Sequence, residues 1–72
     1  MTWRWKDLKE REKRICLLYV VSGKKRVAVA QEIGVSLTRL AQMLDTIYRV
    51  LDVQDVVGLA FRLGQNWKRI KR

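Results

Sequence analysis

The sequence predicts a small all-α domain of four helices, and three observations lead to that fold class. First, apolar residues recur at helical spacing, most clearly in a stripe that would line one face of a helix. That stripe consists of Leu40, Leu44, Ile47 and Leu51. Second, Gly23 and Gly34 separate the helical stretches. Third, the chain of 72 residues has no proline and no low-complexity linker, so one domain is the most it can form.

The first helix is predicted to run from Asp7 to Ser22. Asp7 and Glu10, three residues apart, have the pattern of a capping box, so Asp7 is expected to cap the helix. Glu10 and Arg14 are expected to pair on its outer face. The apolar second half also suits a strand, but the strong helix formers before it favour a helix. Gly23 is expected to end it.

Residues 27–53 have the spacing of a helix-turn-helix. Ala30 precedes Gly34 by four residues, and Leu40 follows it by six. Two helices that cross steeply need a small residue at the crossing, a turn residue that tolerates positive φ, and an apolar residue from the second helix. Ser36 is expected to cap that second helix. This spacing predicts a module that binds double-stranded DNA.

The second helix of this unit, about residues 37–50, is the predicted reader of the DNA major groove. Its polar face carries the side chains expected to contact DNA. Arg39 suits guanine, Gln42 suits adenine, and Thr38 suits a phosphate or a thymine methyl group. Arg49, further along the helix, and Ser36 at its start complete this part of the predicted site. The alternative is that each is an ordinary solvent-facing residue.

A basic triplet precedes the helix-turn-helix and adds to a strongly basic chain. Lys24, Lys25 and Arg26 stand at the start of the helix that precedes Gly34, the first helix of the helix-turn-helix, and are expected to contact phosphates there. A solvated loop has the same composition. The chain has 16 Lys and Arg against 7 Asp and Glu, a net charge of +9. That excess favours nucleic acid first and an anionic membrane surface second.

A fourth helix is predicted from about Val56 to Gly64, capped by Asp55. It is apolar on more than one face, so more than one face has to be buried. In so small a domain the second face is expected to meet another copy of the chain. The residues predicted at that homodimer contact are Val56, Leu59, Ala60 and Leu63.

The domain is predicted over residues 7–66, between an N-terminal arm (1–6) and a basic C-terminal tail (67–72). Trp3 and Trp5 in the arm are expected to cover an apolar flank of the domain rather than to touch a partner. The tail is expected either to follow a phosphate backbone or to extend the fourth helix.

Other classes of function are disfavoured by composition. The chain has no His, and its acidic residues are scattered, so no catalytic residues, no cofactor and no metal site are predicted. Cys16 is expected to be a buried apolar residue in a reducing compartment. The longest apolar run has seven residues, from Ile15 to Val21, too few to span a membrane. A cytoplasmic protein is therefore expected.

Several motifs match one known family. Leu8, Arg11 and Glu12 fit its opening Leu-Thr-x-Arg-Glu pattern, with Lys9 in place of Thr. Gly23 fits the glycine after its first helix. Its Ile-Ala-x-x-Leu-Gly-Ile-Ser pattern falls on Val29, Ala30, Ile33, Gly34, Val35 and Ser36. Its Ile-Tyr-Arg-Lys-Leu-Gly-Val pattern falls on Ile47, Tyr48, Arg49, Val50, Leu51, Asp52 and Val53.

The segment from Leu8 to about Leu63 thus resembles the LuxR-type helix-turn-helix domain. That domain occurs in quorum-sensing regulators, in NarL- and FixJ-like response regulators, and free-standing in the sporulation regulator GerE. The resemblance implies four helices, dimerisation through the last helix, and control of bacterial or phage transcription at paired half-sites.

The departures from the family concentrate in the reading helix. Where the family has Thr-Val-Lys-x-His, this chain has Arg39, Leu40, Ala41, Gln42 and Met43. A basic contact is lost at Ala41, and Asp45 adds a negative charge. Two functions remain open: a homodimeric DNA-binding regulator with altered sequence preference, or an interaction protein. The second would bind another LuxR-type regulator or RNA polymerase through the same scaffold.

Overall fold

The computed structural model describes residues 4–70, and this part of the chain is all-helical, without a strand, as the sequence predicts. A single 3₁₀ turn (Trp5–Asp7) leads into the helices. These are α1 (Glu10–Cys16), which continues as a π-helical segment (Leu17–Val21), α2 (Arg26–Ile33), α3 (Leu37–Leu51), α4 (Val56–Gln65) and α5 (Trp67–Ile70). Across the described residues, no helix has both the length and the apolar character needed to cross a bilayer.

The first helix begins at Glu10, not directly after Asp7, so the prediction that Asp7 caps it is wrong. Lys9 occupies the capping position, and its backbone N–H donates to Glu12 Oε1 at 2.8 Å. The Asp7 carboxylate instead accepts from Arg4 Nε at 2.8 Å inside the 3₁₀ turn. Its side chain is therefore engaged before the helix starts.

The ion pair predicted between Glu10 and Arg14 is also wrong. Glu10 lies nearest Lys13, with 3.5 Å between carboxylate and ammonium. Arg14 reaches across to Glu32 of α2 at 3.8 Å. The π-helical segment widens the end of the helix, which finishes before Gly23 in the left-handed conformation (φ 65°), as the sequence predicts.

The connection between α2 and α3 follows the predicted spacing. Gly34 ends α2 with φ 83°, and its N–H donates to the Ala30 carbonyl at 2.8 Å. Apart from Gly34 and its two chain neighbours, no atom lies within 4 Å of where a Cβ would stand, so the backbone conformation, not space, favours glycine there. Ser36 caps α3: its Oγ accepts from the Arg39 N–H at 3.1 Å. The connection is three residues long, with Ala30 and Leu40 both buried in the core.

The core is formed mainly by α1, α2 and the inner stripe of α3. All four residues of the predicted stripe are buried, and so are Val29 and Ile15. Cys16 is fully buried, as expected, and burial raises the pKa of its thiol to about 12. Trp5 packs against the core from the 3₁₀ turn. Trp3 and the last two residues of the predicted tail lie outside the described residues.

The fourth helix is capped as predicted, with the Gly58 N–H donating to Asp55 Oδ1 at 3.0 Å. It packs against the π-helical segment and contributes Leu59 (0% exposed) and Leu63 (2% exposed) to the core. The prediction that these two side chains lie at a dimer contact is wrong, because they are buried inside the domain and have no surface left for a partner. The opposite face of α4 exposes Val57 (73%) and Phe61 (66%).

Candidate nucleic-acid interface

The outward face of α3 is continuous and polar over most of its length. Four residues predicted to contact DNA lie exposed on this helix: Thr38, Arg39, Gln42 and Arg49. The face also exposes Leu37, Ala41 and Asp45. Because the inner stripe is anchored in the core, the helix is held with this face toward solvent. An exposed helix of this kind has the dimensions to enter a major groove.

Two of these side chains are joined to each other. Arg39 Nη1 donates to Gln42 Oε1 across 3.4 Å, one helical turn apart. A Gln that reads adenine must both donate and accept. Its oxygen accepts from Arg39 and has a second lone pair, so Gln42 can still accept as well as donate. That Gln42 reads adenine therefore stays a prediction, and the contact places it beside Arg39 on the outward face of α3.

Ser36, included among the predicted DNA contacts, has a structural role at the start of α3. Its hydroxyl oxygen accepts from the Arg39 backbone N–H, so it satisfies one of the free donors of the first turn. This bond positions the turn that carries Thr38 and Arg39. The hydroxyl proton remains available to donate to a phosphate oxygen.

The positive charge of Arg49, in the second half of α3, is partly neutralised by a neighbouring carboxylate. Arg49 Nη2 lies 3.0 Å from Asp45 Oδ2, one turn earlier on the same face. Both side chains are largely exposed, so the pair is weak and a phosphate can replace the carboxylate. Thr46 does not add a free hydroxyl donor, because its Oγ1 donates to the Gln42 carbonyl at 3.2 Å.

The basic triplet before α2 divides into three different environments. Lys24 Nζ pairs with Glu32 Oε1 at 2.9 Å, and this bond lowers the pKa of the Glu32 carboxyl. Lys25 is exposed and stands at the capping position of α2. Arg26 Nε donates to the Tyr19 hydroxyl at 3.2 Å, which raises the pKa of the guanidinium. Helix α2, which begins at Arg26, packs against α3.

Two further basic residues lie beside the outward face of α3, and the sequence patterns did not identify them as part of the site. Lys9 and Arg11, at the start of α1, line a cleft of about 280 Å³ together with Arg39 and Gln42. Glu12 in the same cleft is buried and accepts from the Lys9 backbone. Only the packing of α1 against α3 brings these residues together, so no local sequence signal could have revealed them.

Comparison of the chain with protein-family models, curated protein sequences and solved structures gives no match. The resemblance to LuxR-type domains therefore rests on the residues and spacings of the sequence itself.

Proposed function

We propose that this chain is a LuxR-type, DNA-binding transcription regulator of the cytoplasm that acts as a homodimer. Helix α3, about residues 37–50, enters the major groove and Arg39, Gln42 and Thr38 contact base edges. Lys25 and Arg26 bind phosphates beside it, and Lys24 and Arg49 do so by exchanging carboxylates for phosphates. The net charge of +9 attracts the DNA phosphates whatever the base sequence.

The observation that carries this proposal is the division of α3 into two faces. Its inner stripe is fully committed to the core, while its outer face carries exposed donors in the first two turns. A helix with donors near its N-terminus, fixed by a preceding helix and a tight turn, is the arrangement that reads bases in helix-turn-helix proteins. Nothing in the packing of the domain requires Arg39 or Gln42, because both are exposed.

The test is a selection of genomic DNA fragments by the purified protein at about 150 mM salt, where surface charges act over ~8 Å. We expect enrichment of a motif with two half-sites related by two-fold symmetry. The variant Arg39→Ala/Gln42→Ala should lose the motif, because each lost base contact costs about 1–3 kcal/mol of discrimination.

The matched control is Lys6→Ala/Gln54→Ala, which removes the same kinds of side chain from exposed positions outside α3 and outside the basic tail. It should retain the motif. Fragments without a shared motif, recovered equally with all three proteins, would show that α3 does not read bases.

The exposed face of α4 supports the homodimer. Val57 and Phe61 stand one turn apart, and Ala60 beside them is also exposed. Val56, predicted at the contact, is half-buried and lies at the edge of this face. Exposed apolar side chains grouped on one helix face are typical of a protein–protein contact. A two-fold contact would bring the same face of both copies together.

Phe61→Glu is expected to convert the dimer to a monomer, because two carboxylates would be forced into an apolar contact. Sedimentation equilibrium measures the change in mass. Gln54→Glu adds the same charge at an exposed site outside α4 and should remain dimeric. A wild-type protein that is monomeric at the concentrations of the DNA selection would contradict the homodimer.

The same exposed α4 face favours a second candidate function. The chain would pair with another LuxR-type regulator, or bind RNA polymerase, and act as an antagonist or co-regulator. The Asp45–Arg49 pair on the outward face of α3 also fits this candidate, because it reduces the positive charge that this face presents to DNA. A stable equimolar complex with such a regulator, together with no retardation of DNA, would favour this function over the first.

A further inference from the structure

An open groove of about 660 Å³ runs between the 3₁₀ turn, α1 and the end of α2. Its apolar part is formed by Trp5 of the 3₁₀ turn, Leu17 at the start of the π-helical segment and Ile33 at the end of α2, and all three are half-buried. Its charged part is formed by three cations of α1, Arg11, Lys13 and Arg14, and by one carboxylate, that of Glu10. It is separate from the outward face of α3, and only Arg11 also lines the cleft beside that face.

The cations of the groove are available to an outside anion. Lys13 meets Glu10 at 3.5 Å, and Arg14 meets Glu32 at 3.8 Å. These distances are long for ion pairs, and Glu32 is held more closely by Lys24 at 2.9 Å. Arg11 forms no ion pair within residues 4–70. Exposed pairs of this kind contribute little, so a carboxylate from a partner can replace them.

We propose that this groove binds an acidic peptide segment of a partner protein, with one bulky apolar side chain of that segment on the Trp5–Leu17–Ile33 surface. Carboxylates on either side of the apolar residue would accept charge-assisted hydrogen bonds from Arg14, Lys13 and Arg11. The volume lies in the range of sites that accept a large side chain with its neighbours.

A peptide suits this groove better than a nucleic acid does. The phosphate backbone would satisfy the cations, but it has no bulky apolar group to cover the side chains of Leu17 and Ile33. Leaving such a surface wet forfeits the gain from burying it. The combination of an apolar surface with a basic rim therefore selects a ligand that is both acidic and apolar.

The experiment measures fluorescence anisotropy of a short, labelled synthetic peptide with a central Phe flanked by Glu residues. The full chain should bind it, and a peptide with Ser in place of Phe should bind much more weakly. Arg14→Glu should weaken binding of the Phe peptide about tenfold, since an attractive exposed pair becomes repulsive. Arg14 is largely exposed, so the variant should keep the helical content of the wild type, which circular dichroism checks.

The matched control is Lys68→Glu, an equal charge change at an exposed position outside the groove, which should bind the Phe peptide normally. Absence of peptide binding would overturn the proposal. Equal weakening by Arg14→Glu and Lys68→Glu, or equal binding of the Phe and Ser peptides, would also overturn it.

A parallel DNA selection separates this site from the proposed reading function. Arg14→Glu should select the same DNA motif as the wild type while it loses the peptide. Loss of the DNA motif with unchanged peptide binding would show that Arg14 contacts nucleic acid, and it would overturn the peptide proposal.

Discussion

Replacing Ile47 with Ala is expected to lower the free energy of unfolding by about 2–5 kcal/mol, the usual cost of truncating a large buried side chain to Ala. Ile47 is 0% exposed and lies in the middle of α3, where it contributes to the core. At roughly 0.05–0.15 kcal/mol per residue, a domain of this size has a total stability of only about 4–11 kcal/mol. The variant should therefore be close to half-unfolded or show a much lower midpoint in a urea titration.

Leu37→Ala is the control for this prediction. Leu37 belongs to the same helix but is 51% exposed. Its truncation should change the free energy of unfolding by no more than about 0.5 kcal/mol. Equal effects of the two substitutions would contradict the division of α3 into a buried and an outward face. That division also underlies the proposed contact with DNA.

Helix α3 and its cap could be predicted from the sequence because their determinants are local. The apolar period of the stripe is long enough to define one face, and the remaining face is exposed by default. Ser36 and Asp55 cap their helices through bonds that span only three residues. Gly34 takes the left-handed conformation that its place after α2 requires. In each case the sequence neighbours supply the whole interaction.

The start of α1 and the buried side of α4 depend on contacts that sequence spacing does not contain. The sequence spacing fits Asp7 with Glu10, but α1 begins at Glu10, where Glu12 accepts from the Lys9 backbone N–H. Asp7 is paired with Arg4 before the helix begins. In α4 both faces are apolar, so periodicity cannot tell which one is buried. The position of the π-helical segment selects Leu59 for the core and leaves Phe61 outside.

The sequence predicts which residues of the candidate site are exposed, but not which of its cations are ion-paired or lie next to one another. The period of α3 identified Thr38, Arg39, Gln42 and Arg49 as outward-facing. It could not show that Lys24 is paired with Glu32, which lies eight residues away in the sequence. Nor could it place Lys9 beside Arg39, because α1 and α3 are distant in the chain.

The ion pairs of the basic residues affect how strongly DNA binding depends on salt, which is the largest effect we expect. Raising salt from about 50 to 200 mM should weaken DNA binding by roughly 10³ to 10⁵, as expected when six to ten phosphates are neutralised. Lys25, Arg26 and Arg39 form no ion pair with a carboxylate within residues 4–70. Two copies of these three bring six cations without a carboxylate partner to the DNA, Arg39 in the groove and Lys25 and Arg26 at phosphates. If each releases one counterion, the slope of log affinity against log salt is roughly −5.

Whether the ion-paired cations also bind DNA determines whether the dimer makes about six contacts or about ten. If Lys24 and Arg49 also leave their carboxylates for phosphates, a dimer makes ten contacts and the slope approaches −9. Asp45→Asn tests Arg49 directly, and Asp52→Asn removes the same charge from an exposed position at the end of α3.

A steeper slope in Asp45→Asn than in Asp52→Asn would mean that the pair normally keeps Arg49 from the phosphate. An unchanged slope would mean that Arg49 already makes the contact in the wild-type complex. Filter binding or anisotropy at several salt concentrations measures it. A slope near zero in the wild type would contradict DNA binding altogether, because so basic a chain cannot neutralise phosphates without releasing their counterions.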